Sequence, residues 1–99
     1  MEHKFYALKL IPSRSDFSQT MNDEEKSIMQ QHVVFWKEMM TKGNVVAFGP
    51  ILDPKGVYGF GIIKATSEDI VKEFIYADPA SKIMSYEFYQ MLAVLPHDS

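Results

Sequence analysis

The chain has 99 residues, of which 46% are hydrophobic, a net charge of -3 and no cysteine. This length predicts a single domain spanning residues 1–99 with one modest core. The small net charge, without a run of lysine or arginine, argues against a protein that binds nucleic acid through phosphates, and the lack of cysteine excludes disulfides and thiolate chemistry.

The start of the chain and the length of its apolar stretches indicate where in the cell we expect the protein. The start, Met1–Lys4, lacks the charged region and long apolar run of a signal peptide. No apolar stretch approaches the roughly 20 residues that a membrane-spanning helix needs. We therefore expect a cytoplasmic protein with no membrane partner.

A strand and a helix are predicted in the first half of the chain. Lys4–Ile11 is a strand candidate in which both alternating sets of side chains are largely apolar, and Pro12 ends it. After a polar connection, Asn22 is a good helix N-cap, and Glu25 three residues later completes a capping-box pattern. Gly43 supplies the C-cap. The apolar stripe of this helix comprises Ile28, Met29, Phe35, Trp36, Met39 and Met40.

A hairpin follows this helix. Val45–Leu52 and Val57–Lys64 are apolar strands, and Asp53–Gly56 between them fits a type I turn, so we predict that they pair antiparallel. Gly59 and Gly61 share one face of the second strand, which leaves room for a group to approach the backbone closely.

The last third of the chain predicts one more helix and one more strand. Thr66 or Ser67 caps the helix, and Asp78-Pro79 ends it, because a residue before proline avoids the helical region. The final strand is predicted over Met84–Leu95, where large apolar residues alternate.

The element order β-α-β-β-α-β predicts a ferredoxin-like α+β fold, with a four-stranded antiparallel sheet and two helices on one face. All four strands carry apolar or aromatic residues on both faces, whereas the helices cover only one. An uncovered second face would expose a larger apolar patch than monomers normally tolerate. We therefore expect a homodimer formed through the sheet face.

His32 is the most suggestive ionisable side chain. It lies three or four residues from Ile28, Phe35 and Trp36, and hence on or beside the apolar face of the first helix. Two interpretations fit this position: an inert histidine at the edge of the core, or a general acid/base, since imidazole titrates near neutrality. Asp78 alone suggests a turn aspartate, but beside His32 it would complete a His-Asp dyad.

Arg14 lies on the loop before the first helix. It either holds an anionic ligand through its planar guanidinium or pairs with a nearby aspartate such as Asp16. No constellation of metal ligands is evident, and Gly59-x-Gly61 is too short a signal for nucleotide binding. We therefore expect neither a metal nor a cofactor.

Several of these motifs occur together in one family. His32, Gly49-Pro50, the segment VAFGPILDPKGVYGFG (residues 46–61) and Asp78 before a proline resemble the YciI-like (YCII-related) proteins, over nearly the whole chain. The resemblance implies a dimeric α+β barrel with an active site built around a His-Asp pair, here His32 and Asp78. Relatives in the wider dimeric-barrel group include muconolactone-isomerase-like enzymes, small monooxygenases and haem-degrading proteins.

The first functional hypothesis is a small-molecule enzyme of isomerase or lyase type. His32 would act as the acid/base and Asp78 would orient it, on a small anionic or carbonyl-bearing molecule. The alternative is a non-catalytic protein that holds a metabolite, and a third hypothesis is a haem-binding or monooxygenase-type barrel. The candidate ligand-binding residues are Arg14, Gly49, Pro50, Gly59 and Gly61.

Overall fold

The computed structural model describes residues 2–96. Its elements in chain order are β1 (Lys4–Ile11), α1 (Phe17–Thr20), α2 (Asp23–Thr41), β2 (Val45–Ile51), β3 (Tyr58–Ala65), α3 (Glu68–Ala77), a 3-10 turn (Pro79–Lys82) and β4 (Ser85–Met91). The strands form one antiparallel sheet in the order β2-β3-β1-β4. The predicted α+β class, with its ferredoxin-like strand order, is therefore confirmed.

Helices α2 and α3 cover one face of the sheet. On β1, Tyr6, Leu8 and Leu10 are buried, whereas the residues between them are more exposed. Trp36 of α2 and Phe74 of α3 pack edge to face, with ring centroids 4.8 Å apart. Each large apolar side chain buried in this way stabilises the fold by about 1.5–3 kcal/mol. The central cluster comprises Tyr6, Leu8, Trp36, Val45, Ile63, Ala65, Val71 and Phe74.

Local signals set where α2 begins and ends. Asn22 accepts a hydrogen bond from the Glu25 amide at 2.8 Å, and the Glu25 carboxylate accepts one from the Asn22 amide at 2.9 Å. This is the predicted capping box, which satisfies two otherwise unpaired amides. At the other end, Gly43 has φ +88, a backbone conformation that favours glycine. Within residues 2–96, no helix combines the length and apolar content needed to cross a membrane.

The structure differs from the sequence-based prediction at two places. The last strand ends at Met91 rather than Leu95, because Met91 lies opposite Phe5 and β1 supplies only one more residue for pairing. Leu92 is consequently 90% exposed. The connection after β1, predicted to be polar and irregular, contains the short helix α1, whose Phe17 is buried.

Candidate functional site

Asp78 lies where α3 meets the 3-10 turn. Its carboxylate accepts a hydrogen bond from the Ala80 amide at 2.9 Å, which caps the turn that Pro79 begins. The expectation of a turn aspartate is therefore met, but this carboxylate is also almost fully buried, with 1% of the residue exposed. A buried carboxylate needs more partners than one backbone amide.

Three side chains supply those partners. The Nδ1 atom of His32 lies 3.0 and 2.8 Å from the two carboxylate oxygens of Asp78. The indole N–H of Trp36 donates to Oδ2 at 2.9 Å, and the hydroxyl of Tyr86 donates to the same oxygen. His32 and Trp36 are one helical turn apart on α2, so both reach the carboxylate from the same side.

These contacts determine the charge of Asp78. Burial raises the pKa of its carboxyl, but the hydrogen bonds from His32, Tyr86 and Ala80, together with attraction to the imidazole, outweigh that effect, so the pKa lies below its ordinary value. Burial and the adjacent Asp78 charge raise the pKa of the Tyr86 hydroxyl. Tyr86 therefore stays protonated and acts as a donor.

The ionised carboxylate also fixes the tautomer of His32. An ionised carboxylate only accepts hydrogen bonds, so Nδ1 must carry a proton and donate it. Nε2 then has a free lone pair when the ring is neutral. No hydrogen-bond partner reaches Nε2 within residues 2–96, and none of their buried side-chain nitrogens and oxygens lacks a partner. Nε2 is thus accessible, and it can accept a proton.

A cavity of about 240 Å³ lies between α2 and the sheet, and His32 and Tyr86 line it. Among the residues that the structure describes, no Lys, Arg, Asp or Glu lines this cavity. The remaining lining residues are Leu8, Leu10, Pro12, Phe17, Ser18, Met21, Met29, Val33, Trp36, Phe48, Gly49, Pro50, Val57, Tyr58, Gly59, Phe60, Gly61 and Met84. The arrangement is a single accessible base in a largely apolar cavity.

The four predicted pocket-wall residues, Gly49, Pro50, Gly59 and Gly61, all line this cavity. The predicted close approach to the β3 backbone is also present, but the approaching group is the protein itself. A Cβ atom on Gly61 would lie 2.3 Å from the Trp36 ring. At Gly61 the missing side chain therefore makes room for the indole that donates to Asp78.

Arg14 does not line the cavity. Its guanidinium donates two parallel hydrogen bonds to the Glu25 carboxylate, at 3.0 and 2.9 Å, and further bonds to Thr20. The predicted partner Asp16 lies 3.7 Å away, as the weaker ion pair. The hydrogen bonds from Arg14 and from Asn22 lower the pKa of Glu25 to about 2. The prediction that Arg14 binds an anionic ligand stays a prediction.

Two residues of the site were not predicted as site residues: Trp36 was placed in the apolar stripe of the first helix, and Tyr86 falls within the predicted last strand. The role of Trp36 could have been inferred from the sequence, because it lies four residues after His32 and therefore on the same helix face. The role of Tyr86 could not, because its alternation in β4 indicates a face of the sheet but not a partner. Within residues 2–96, no cluster of three or more His, Cys, Asp or Glu could hold a metal ion.

Comparisons with known proteins agree with this architecture. The model of the YCII-related domain matches residues 6–94. A solved 5-chloro-2-hydroxyhydroquinone dehydrochlorinase, TftG of Burkholderia phenoliruptrix AC1100, in complex with 2,5-dihydroxybenzoquinone, superposes with a TM-score of 0.69 at 17% identity, over 96% of this chain and 99% of that one. TftG belongs to the dimeric α+β barrel superfamily.

A second solved structure, an uncharacterised protein from Thermotoga maritima, superposes with a TM-score of 0.53 at 9% identity, over 91% of this chain and 99% of that one. No curated protein sequence matches the chain. Because the family match spans most of the sequence and the fold agrees with it, the chain belongs to the YCII-related family.

Proposed function

We propose that this protein is a small-molecule enzyme in which His32 transfers protons and Asp78 orients it. One observation carries the proposal: the imidazole of His32 lines the cavity, its Nδ1 is held by a buried carboxylate, and no described residue forms a hydrogen bond with its Nε2. This is the arrangement by which a histidine acts as a general base, because the carboxylate selects the tautomer and stabilises the imidazolium that forms.

The reaction class follows from what one such base can do. Nε2 removes a proton from the substrate, and the imidazolium then returns that proton to a different atom or to a departing group. The first outcome is an isomerisation and the second an elimination. The fold neighbour TftG is a dehydrochlorinase, which supports elimination as the first reaction to test.

The test compares the wild type with His32→Ala on small hydroxylated and halogenated ring compounds, including a chlorinated hydroxyhydroquinone. Chloride release reports elimination, and deuterium incorporation at carbon in D₂O, followed by NMR, reports proton transfer without elimination. We expect His32→Ala to lower either rate by roughly 10²–10⁴-fold. His3→Ala is the matched control, because His3 is exposed. Full activity in His32→Ala would remove the proposal.

The apolar lining also favours the alternative, a protein that holds a metabolite without converting it. The same experiment separates the two functions. A binding protein returns its ligand chemically unchanged and without deuterium, and His32→Ala then alters only the affinity.

We further propose that a second copy covers the outer face of the sheet. Tyr89 of β4 and Ile51 of β2 project from this face and are 70% and 38% exposed. The superfamily of the fold neighbour supports this arrangement. Sedimentation should show a dimer at micromolar concentration, and Tyr89→Lys should shift it toward monomer. Tyr76→Lys, which changes a tyrosine on α3 that is 89% exposed, should leave it dimeric.

A further inference from the structure

The size and walls of the cavity restrict the shape of its ligand. An apolar cavity of roughly 150 Å³ accommodates benzene, so the 240 Å³ here is large enough for one substituted ring. The walls include the aromatic rings of Phe17, Trp36 and Phe48. The rings of Trp36 and Phe48 are 5.3 Å apart, which leaves no ring-sized space between these two and makes them one continuous wall. Such a surface favours a flat ligand.

The polar atoms restrict the chemistry of that ligand. Trp36 Nε1 and the Tyr86 hydroxyl are already bonded to Asp78, so they are not the groups that a ligand meets first. The Nε2 atom of His32 is open, and it is an acceptor when the ring is neutral. A ligand that forms a hydrogen bond with Nε2 must therefore act as the donor.

The absence of charged lining residues restricts the ionisation state. Of the described lining residues, none is a Lys or Arg that could neutralise a bound anion. Arg14, the predicted ligand of an anion, is paired with Glu25. The closest charge behind His32 is the negative Asp78. Beside a neutral His32, a permanently anionic ligand would bury a second negative charge without a matching positive one.

We infer that the cavity binds a flat, one-ring hydroxyl compound, a phenol or a cyclic enol, as its neutral acid, with the hydroxyl proton donated to Nε2 of His32. This inference rests on the proposed function, because it names the substrate class of the same site. It departs from the sequence-based expectation of an anionic or carbonyl-bearing molecule, because the bound ligand is a neutral hydroxyl compound. The hydroxyl proton is also the one that His32 would remove first.

The test measures binding of three ring compounds to the wild-type protein: phenol, its methyl ether anisole, and benzoate. Trp36 is the single tryptophan of the chain and lines the cavity, so its fluorescence reports binding, with calorimetry as a second readout. We expect phenol to bind roughly five-fold more tightly than anisole, which has no proton to donate. Benzoate should bind roughly 100-fold more weakly than phenol.

Two further measurements sharpen the result. A nitrophenol, which ionises near neutral pH, should lose affinity as the pH rises through its own pKa, because the complex retains the hydroxyl proton. In His32→Leu, phenol and anisole should bind alike. Equal binding of phenol and anisole to the wild type, tighter binding of benzoate, or binding of none of the three would each overturn the inference.

Failure of this inference is distinguishable from failure of the proposed function. If phenol binds more tightly than anisole and benzoate but His32→Ala retains full turnover, the inferred ligand class is supported and the acid/base role of His32 is contradicted. If His32→Ala abolishes turnover of some substrate while anisole or benzoate binds as well as phenol, the acid/base role stands and the ligand class is wrong.

Discussion

Substituting Gly61 by alanine tests whether this glycine shapes the site by making room for Trp36. The added Cβ would lie 2.3 and 2.5 Å from two atoms of the indole ring, and 3.1 Å from Phe48. The ring has little freedom to retreat, since Trp36 is 2% exposed and its N–H is bonded to Asp78. Alanine at this position must therefore displace the indole or the β3 backbone.

The cost has two parts. Overpacking a tight core costs about 1–3 kcal/mol, and a displaced indole loses a hydrogen bond to a charged group, worth about 1.5–3 kcal/mol. We expect Gly61→Ala to lower the free energy of unfolding by about 3–5 kcal/mol. At about 4–8 °C per kcal/mol for a domain of this size, the melting temperature falls by well over 10 °C.

Gly49→Ala is the matched control for this experiment. Gly49 lies on the neighbouring strand β2 and lines the same cavity, yet a Cβ atom there meets nothing within 4 Å. We expect no loss, or a gain of about 0.4–1 kcal/mol from the less flexible unfolded chain. Urea unfolding of both variants gives the comparison. Stabilities within about 0.5 kcal/mol of each other would refute the packing argument.

Three other changes probe the charges around the site. Asp78→Asn should lower the free energy of unfolding by about 3–5 kcal/mol, since the donors around the buried carboxylate lose a charged acceptor. Because the folded-state pKa of Asp78 is lowered, its carboxylate stabilises the fold above the unfolded pKa of about 3.9, and this contribution is lost as the pH falls through the folded-state pKa. The free energies of unfolding of the wild type and Asp78→Asn, measured by urea titration, should therefore converge at acid pH. Tyr86→Phe should raise the pKa of Asp78, measured by carboxyl NMR, and an unchanged pKa would contradict the contribution of that hydroxyl. Arg14→Gln should raise the pKa of Glu25 from about 2, but not to its ordinary value, because the Asn22 amide still donates to it; a fixed pKa would show that Arg14 is not the cause.

The sequence predicted the elements wherever the signal was local. Asn22 and Glu25 are three residues apart, and their capping box needs no information from elsewhere in the chain. The partner of Arg14 shows the limit of such reasoning. Asp16 is nearer in sequence, but the loop after β1 folds back on the start of α2, so Glu25 receives the two short bonds.

The site was predictable only in part, because its residues are distant in sequence. His32 and Asp78 are 46 residues apart, so their contact was foreseeable from the ferredoxin-like topology and the family resemblance but not from their spacing. Trp36 is buried in the core, as its place in the apolar stripe predicted, and Tyr86 is half-buried against that core. The indole N–H of Trp36 and the hydroxyl of Tyr86 donate to the buried carboxylate of Asp78. The periodicity of apolar residues does not predict such a pairing.

The packing and the chemistry of this site are coupled through one aromatic residue. The room at Gly61 admits the indole of Trp36, the indole N–H donates to the carboxylate of Asp78, and the ionised carboxylate sets the tautomer of His32. The negative charge of Asp78 stays in the protein interior, because the residue is only 1% exposed. A change on β3, with no atom of its own in the proton transfer, should therefore disturb the hydrogen bonds that hold the imidazole of His32. In ¹⁵N NMR spectra, Gly61→Ala should change the chemical shifts of the His32 ring nitrogens, whereas Gly49→Ala should leave them unchanged. Equal spectra for the two variants would show that the packing at Gly61 does not affect His32.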